Sequence, residues 1–125
     1  MSVTTARWND PPTEAGERVL ITRYRPRGVP KGQETWQRWD KRLAPSVELL
    51  DAYLGRRREG RKVVARDLEP ISWEEFTRRF QSELEAEPAR VALAELEAAG
   101  DAVLLCYCAD PSRCHRTLVA DRLST

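Results

Sequence analysis

Ala102-Val103-Leu104-Leu105-Cys106-Tyr107-Cys108-Ala109-Asp110-Pro111-Ser112-Arg113-Cys114-His115-Arg116 joins an apolar run to a helix start. Its opening apolar run, 102–108, follows Gly100 and predicts a buried strand. Asp110-Pro111 then supplies an N-cap followed by proline at the first helical position, which predicts a helix to about Leu123. The same stretch holds all three cysteines and the only histidine of the chain, within ten consecutive positions. Chemistry that needs a thiolate or an imidazole must use it.

Upstream, Pro88 is placed for the first turn of a preceding helix that Gly100 ends. Ser72-Trp73-Glu74-Glu75 reads as a capping box opening another helix. Trp73, Phe76, Phe80 and Leu84 form its apolar stripe, with Glu74/Arg78 and Glu75/Arg79 as i,i+4 pairs outside. Lys62 to Arg66 predicts a strand after a basic connector, and Ser46 a helix cap for residues 47–56. Trp36, Trp39 and Leu43 carry a short-helix spacing, with the tryptophans packed in the core. Arg18-Val19-Leu20-Ile21-Thr22 predicts a second buried strand. Residues 1–16, with Asn9-Asp10-Pro11-Pro12, read as a loosely structured lead-in that Trp8 pins to the body, and 17–125 as a single domain. Strand, helices, then strand and helix again predict an α/β fold, a largely parallel sheet flanked by helices.

Composition bounds the function classes. The chain has 125 residues, enough for one domain with a sizeable core. Its net charge of +1 gives no global pull toward nucleic acid or anionic membrane. Only Lys31, Lys41 and Lys62 are lysines among 21 basic residues, and the arginine bias favours forked contacts to carboxylates or phosphates. No apolar run reaches membrane-span length, the first residues lack a signal-peptide layout, and clustered cysteines do not make a secreted disulfide framework. The expectation is a cytoplasmic protein with no membrane partner, no cofactor, and nucleic acid disfavoured as a ligand.

In open parallel sheets, ligands gather at the carboxyl ends of the strands. Cys106, Cys108, Cys114 and His115 fall near that edge, and the period of two sets Cys106 and Cys108 on one face. Four readings are open: a nucleophilic or redox thiol beside His115; an anion site at the helix start; a zinc site; and buried cysteines that only fill space. The C-x-C-x5-C-H spacing is unusual for zinc, and adjacent Cys114 and His115 on a helix point apart. A phosphatase-type Cys-x5-Arg loop is excluded by counting, because Ser112 and Cys114 stand six beyond Cys106 and Cys108. Upstream, Arg23-Tyr24-Arg25-Pro26-Arg27-Gly28 follows a strand and shares the cysteine edge, so its guanidinium groups suit a phosphate or carboxylate; the alternative is a solvated surface run paired with the abundant glutamates. Arg56-Arg57-Arg58 reads as an exposed turn.

Arg23 through Lys31, Trp39, Leu43-Ala44-Pro45-Ser46, Trp73-Glu74-Glu75-Phe76, Leu104-Leu105-Cys106 and Cys114-His115-Arg116 together resemble the domain of unknown function 488 family over about residues 18–123. Cys106, Cys114, His115 and Arg116 match its closing motif position by position, whereas some members carry glutamate at the position of Cys108. The resemblance implies a small α/β fold and leaves the activity open. The leading expectation is an enzyme for a small anionic, phosphate-bearing substrate. In it Cys106 or Cys114 is the thiolate, His115 the base or acid, and Arg23, Arg25 and Arg27, with Cys108 and Arg116, bind the ligand. The alternatives are a non-catalytic nucleotide or nucleic-acid binding module and a metal-stabilised structural domain.

Overall fold

A computed structural model describes residues 3–12, 16–108 and 110–123. Four strands form one sheet: β1 (Val3–Arg7), β2 (Glu17–Leu20), β3 (Arg38–Trp39) and, late in the chain, β6 (Ala102–Cys106). Their order is β1-β6-β2-β3 and every pairing is parallel. The fold is therefore α/β with a parallel sheet, as the alternation of elements predicts. β1 lies inside the stretch expected to be a loose lead-in. Val3–Arg7 pairs residue for residue with Ala102–Cys106, so this segment is a sheet edge. Residues 1–2 and 13–15 of that stretch lie outside the described residues.

Every residue of β6 is buried, which requires cover on both faces of the sheet. Alternation divides the two interiors. Val19, Ile21, Ala102 and Leu104 pack with the helices α1 (Val47–Leu54), α2 (Trp73–Leu84), α3 (Ala89–Ala99) and α4 (His115–Leu123). Leu20, Val103 and Leu105 point the other way, against Ala6 and Trp36, with Trp8, Val29 and Trp39 around them. The helices thus share one core, and tryptophan-bearing segments close the second. Trp8 and Trp36 meet edge to face, ring centroids 6.3 Å apart.

Local signals account for most boundaries. Ser46 caps α1 through Leu49 N–H, and its own N–H and hydroxyl donate to Glu83 at 2.9 and 2.6 Å. The helix stops at Leu54 because Gly55 takes a left-handed φ of 69°. Ser72 caps α2 through Glu75 N–H. The Glu75 carboxylate turns outward to Arg78 and Arg79, both at 2.7 Å, so only the serine half of the capping box forms. The stretch from Trp36 to Leu43 is not a helix. Backbone bonds from Gln37 and Asp40 to Arg18 and Leu20 draw it alongside β2 as the short β3, and Lys41–Leu43 forms one 3-10 turn capped by Asp40.

A separate antiparallel hairpin, β4 (Arg57–Glu59) and β5 (Lys62–Ala65), takes the region expected as a connector and a strand. The helix expected to start at Asp110 is divided. Pro111–Arg113 is a 3-10 turn, Cys114 has extended backbone, and α4 begins at His115. No helix among the described residues is long and apolar enough to cross a membrane.

Candidate functional site

β6 delivers Cys106 at the carboxyl edge of the sheet, and the parallel register brings the end of β2 beside it, Ile21 N–H donating to Leu105 O at 3.0 Å. Cys106 shares the parity of Ala102 and Leu104 and so faces the helices. His115, the first residue of α4, comes down onto the same point. Its Nε2 lies 2.6 Å from the Ile21 carbonyl oxygen. A carbonyl only accepts, so Nε2 carries a proton, and Nδ1 is the nitrogen turned toward Cys106 Sγ at 3.7 Å. Phe80 packs edge-on against the imidazole, centroids 5.5 Å apart. Burial lowers the His115 pKa and favours the neutral ring.

The three sulfurs converge. Cys106 and Cys108 Sγ are 4.0 Å apart. Cys106 Sγ, Cys114 Sγ and a His115 ring nitrogen all lie within 4.8 Å of one another. The objection that neighbours on a helix point apart does not apply here. Cys114 precedes the helix, and its extended backbone (φ −134°, ψ 139°) lets its side chain reach the point that His115 reaches from α4. Hydrogen bonding from the Cys108 and Cys114 thiols holds the Cys106 thiol well below the usual range, while those two are pushed up. Of the three, Cys106 is the thiol shifted toward its ionised form.

A cavity of about 630 Å³ opens over this cluster, touching Cys106, Cys108, Cys114 and His115. Arg23, Arg25, Arg27, Arg56, Arg58, Arg66 and Arg113 contribute to its wall, and no carboxylate of the described residues does. Tyr53, Trp73 and Phe76 form an aromatic section, with Tyr53–Phe76 and Trp73–Phe76 centroids 4.7 and 5.3 Å apart.

The arginine segment does reach the cysteine edge, but its members differ. Arg23 is spent on the backbone, donating to the carbonyls of Pro45, Lys41 and Ala44 at 3.0, 3.3 and 3.4 Å. Arg25 is paired with Glu34 at 2.9 Å and lies over the Trp36 ring. Arg27 is exposed and has no carboxylate partner among the described residues. Arg116 is buried and lies outside the cavity wall, its Nη1 donating to Cys108 O at 3.0 Å. It positions the loop.

Arg56 and Arg58 depart from the exposed-turn expectation. Both fork onto the buried Asp51 at 2.9–3.0 Å and are themselves largely covered. Arg58, hydrogen-bonded to Asp51, pulls that carboxyl below its ordinary range. Sequence reasoning missed Arg66, Arg113, the aromatic section and the Ile21 carbonyl. Arg113 lay within the quoted stretch. The others carry no local motif, because only the tertiary fold brings them to the cavity.

Comparison with known proteins bears on the family. The chain is similar to Uncharacterized protein YeaO of Escherichia coli (strain K12), 38% identical over 56 residues that cover 44% of this chain and 49% of YeaO. The match therefore spans about half the length of that relative. No solved structure matches the chain. A family model described as the active DUF488-N3 subclade matches residues 3–125, from the edge strand β1 through the Cys-His-Arg motif. The chain belongs to the DUF488 family.

Proposed function

We propose that this protein is a thiol-dependent enzyme acting on a small anionic, phosphate-bearing substrate, with Cys106 as nucleophile and His115 as its proton partner. One observation carries the reading. Cys106 Sγ faces Nδ1 of an imidazole locked by a main-chain carbonyl, at the floor of an arginine-walled cavity. The Cys106 proton passes to Nδ1. Sγ then bonds to the electrophilic centre as the leaving group departs with its electron pair, and the Nδ1 proton goes to that group. Cys114, held as a thiol by its neighbours, acts as a hydrogen-bond donor to Cys106. Arg27, Arg66 and Arg113, without ion pairs among the described residues, take the anionic part. Arg23 and Arg25, committed to backbone carbonyls and Glu34, shape the wall.

The test uses two alkylating agents of nearly equal size, iodoacetate and iodoacetamide. Relative to free cysteine, Cys106 in the metal-free, reduced protein is expected to favour the anionic reagent by about tenfold or more, which corresponds to about 1.4 kcal/mol. Inorganic phosphate should slow the labelling, and Arg113→Gln with Arg27→Gln should abolish the preference. A Cys106 that labels no faster than free cysteine and is not protected by phosphate would sink the proposal.

The aromatic section supports a second reading, a non-catalytic nucleotide site in which Tyr53, Trp73 or Phe76 receives the base. Nucleotide binding that weakens steeply with salt and survives Cys106→Ser would favour it over the enzyme.

A further inference from the structure

We infer that Cys106, Cys114 and His115 form a binding site for one soft divalent cation, zinc by the chemistry of its donors, with the fourth coordination position open to the cavity. The argument is geometric and needs no turnover. Two thiolates and an imidazole are the donor set of a three-ligand zinc centre. Tetrahedral bond lengths place neighbouring sulfur and nitrogen ligands about 3.6 Å apart and neighbouring sulfurs about 3.8 Å apart. Cys106 Sγ and His115 Nδ1 are separated by 3.7 Å, and all three donor atoms fall within 4.8 Å of one another. The ion needs only small side-chain adjustments.

Three further observations fit a metal better than a space-filling cluster. The imidazole presents Nδ1 because Nε2–H is tied to the Ile21 carbonyl, and a tied second nitrogen is the usual outer-shell arrangement of a ligating histidine. All three donors are buried, Cys106 at the end of β6, His115 at the start of α4 and Cys114 on the extended residue just before it. Charge is consistent too: two thiolates cancel a dication, so the surrounding guanidinium groups face a neutral centre. Cys108, 4.0 Å from Cys106 Sγ and only half-buried, is not one of the three donors.

Cobalt(II) is the probe, added without oxygen to the reduced, metal-free full-length protein. The expected result is one equivalent bound, with the strong visible ligand-field absorption of a tetrahedral ion, a thiolate-to-cobalt charge-transfer band, and displacement of both by zinc. Cys114→Ser should weaken binding by more than the roughly 10- to 100-fold cost of losing an outer-shell partner. Cys108→Ser should keep the stoichiometry and the spectrum.

Should Cys114→Ser not fold by circular dichroism, X-ray absorption at the zinc edge of the wild type decides instead, with two sulfurs and one nitrogen expected from the protein. No charge-transfer band in the wild type, or loss of binding in a folded Cys108→Ser protein, overturns the site. Zinc should also protect Cys106 from iodoacetate. If the thiol proves unreactive, the cobalt spectrum still decides this inference independently.

Discussion

Phe80 has no exposed surface, and it holds two things at once: a stacked contact with Phe76 at 5.8 Å and the edge-on contact that supports the His115 ring. Truncation to alanine removes a large core side chain, so Phe80→Ala is expected to destabilise the protein by about 3–5 kcal/mol in a denaturant titration. Arg116 is a different kind of buried residue. Its guanidinium donates to the half-buried Cys108 carbonyl, so Arg116→Met leaves that oxygen without its charged donor and should cost about 1.5–3 kcal/mol. A loss well under 1 kcal/mol would mean that the loop holds itself. At this scale the sequence was most readable where a residue's role is set by its neighbours in the chain. The caps at Ser46 and Ser72, and the cluster from Cys106 to His115, needed no tertiary information. The fates of Arg23 and Arg25 did, because carbonyls at 41, 44 and 45 and the Glu34 carboxylate reach them only in the folded chain.

Among the elements, the junction of α1 with the β4–β5 hairpin sets the arginine wall. Gly55 ends α1 with positive φ, and a Cβ there would lie 2.2 Å from Leu68 O. Gly55→Ala therefore combines left-handed strain of about 1–2 kcal/mol with a backbone clash, and the thermal midpoint should fall by several degrees. Within α1, Asp51 holds Arg56 and Arg58, which lie just beyond that glycine. Its carboxyl is depressed below 3.8 in the fold, chiefly by the hydrogen bond from Arg58. The stabilisation is therefore fully present above pH 3.8 and is lost as pH falls through the lower folded value. Asp51→Asn should remove this acid-limb component of stability, measured as unfolding midpoint against pH. An unchanged acid limb would exclude Asp51 as its source. Elements with a regular pattern, α2 and β6 above all, were legible in advance. The β3 segment was misread as helical because Trp36, Trp39 and Leu43 share a helix spacing, while the pairing partner that overrides it lies in β2.

Across the whole molecule, the edge strand β1 carries more than the expectation of a loose lead-in allowed. Its five residues cover one side of β6, the strand that ends on Cys106. Deleting residues 1–7 should turn β6 into an exposed apolar edge, lower the thermal midpoint and promote association visible by light scattering. A monomeric variant with an unshifted midpoint would show β1 to be dispensable. The parallel α/β class was legible because alternating strand and helix signals admit few topologies. The placement of all helix-derived core residues on one face was not, since nothing local says which face a connection crosses.

The bond from His115 to the Ile21 carbonyl has a consequence for how such a site can change over time. The orienting group belongs to the main chain, so no side-chain replacement at position 21 removes it. What preserves it is the alignment of β2 on β6. A one-residue slip would turn the neighbouring carbonyl to the imidazole from the opposite side of the strand. Drift in residue identity is therefore tolerated at position 21 as long as the strand is packed, whereas an insertion or deletion within either strand would dismantle the site in a single step.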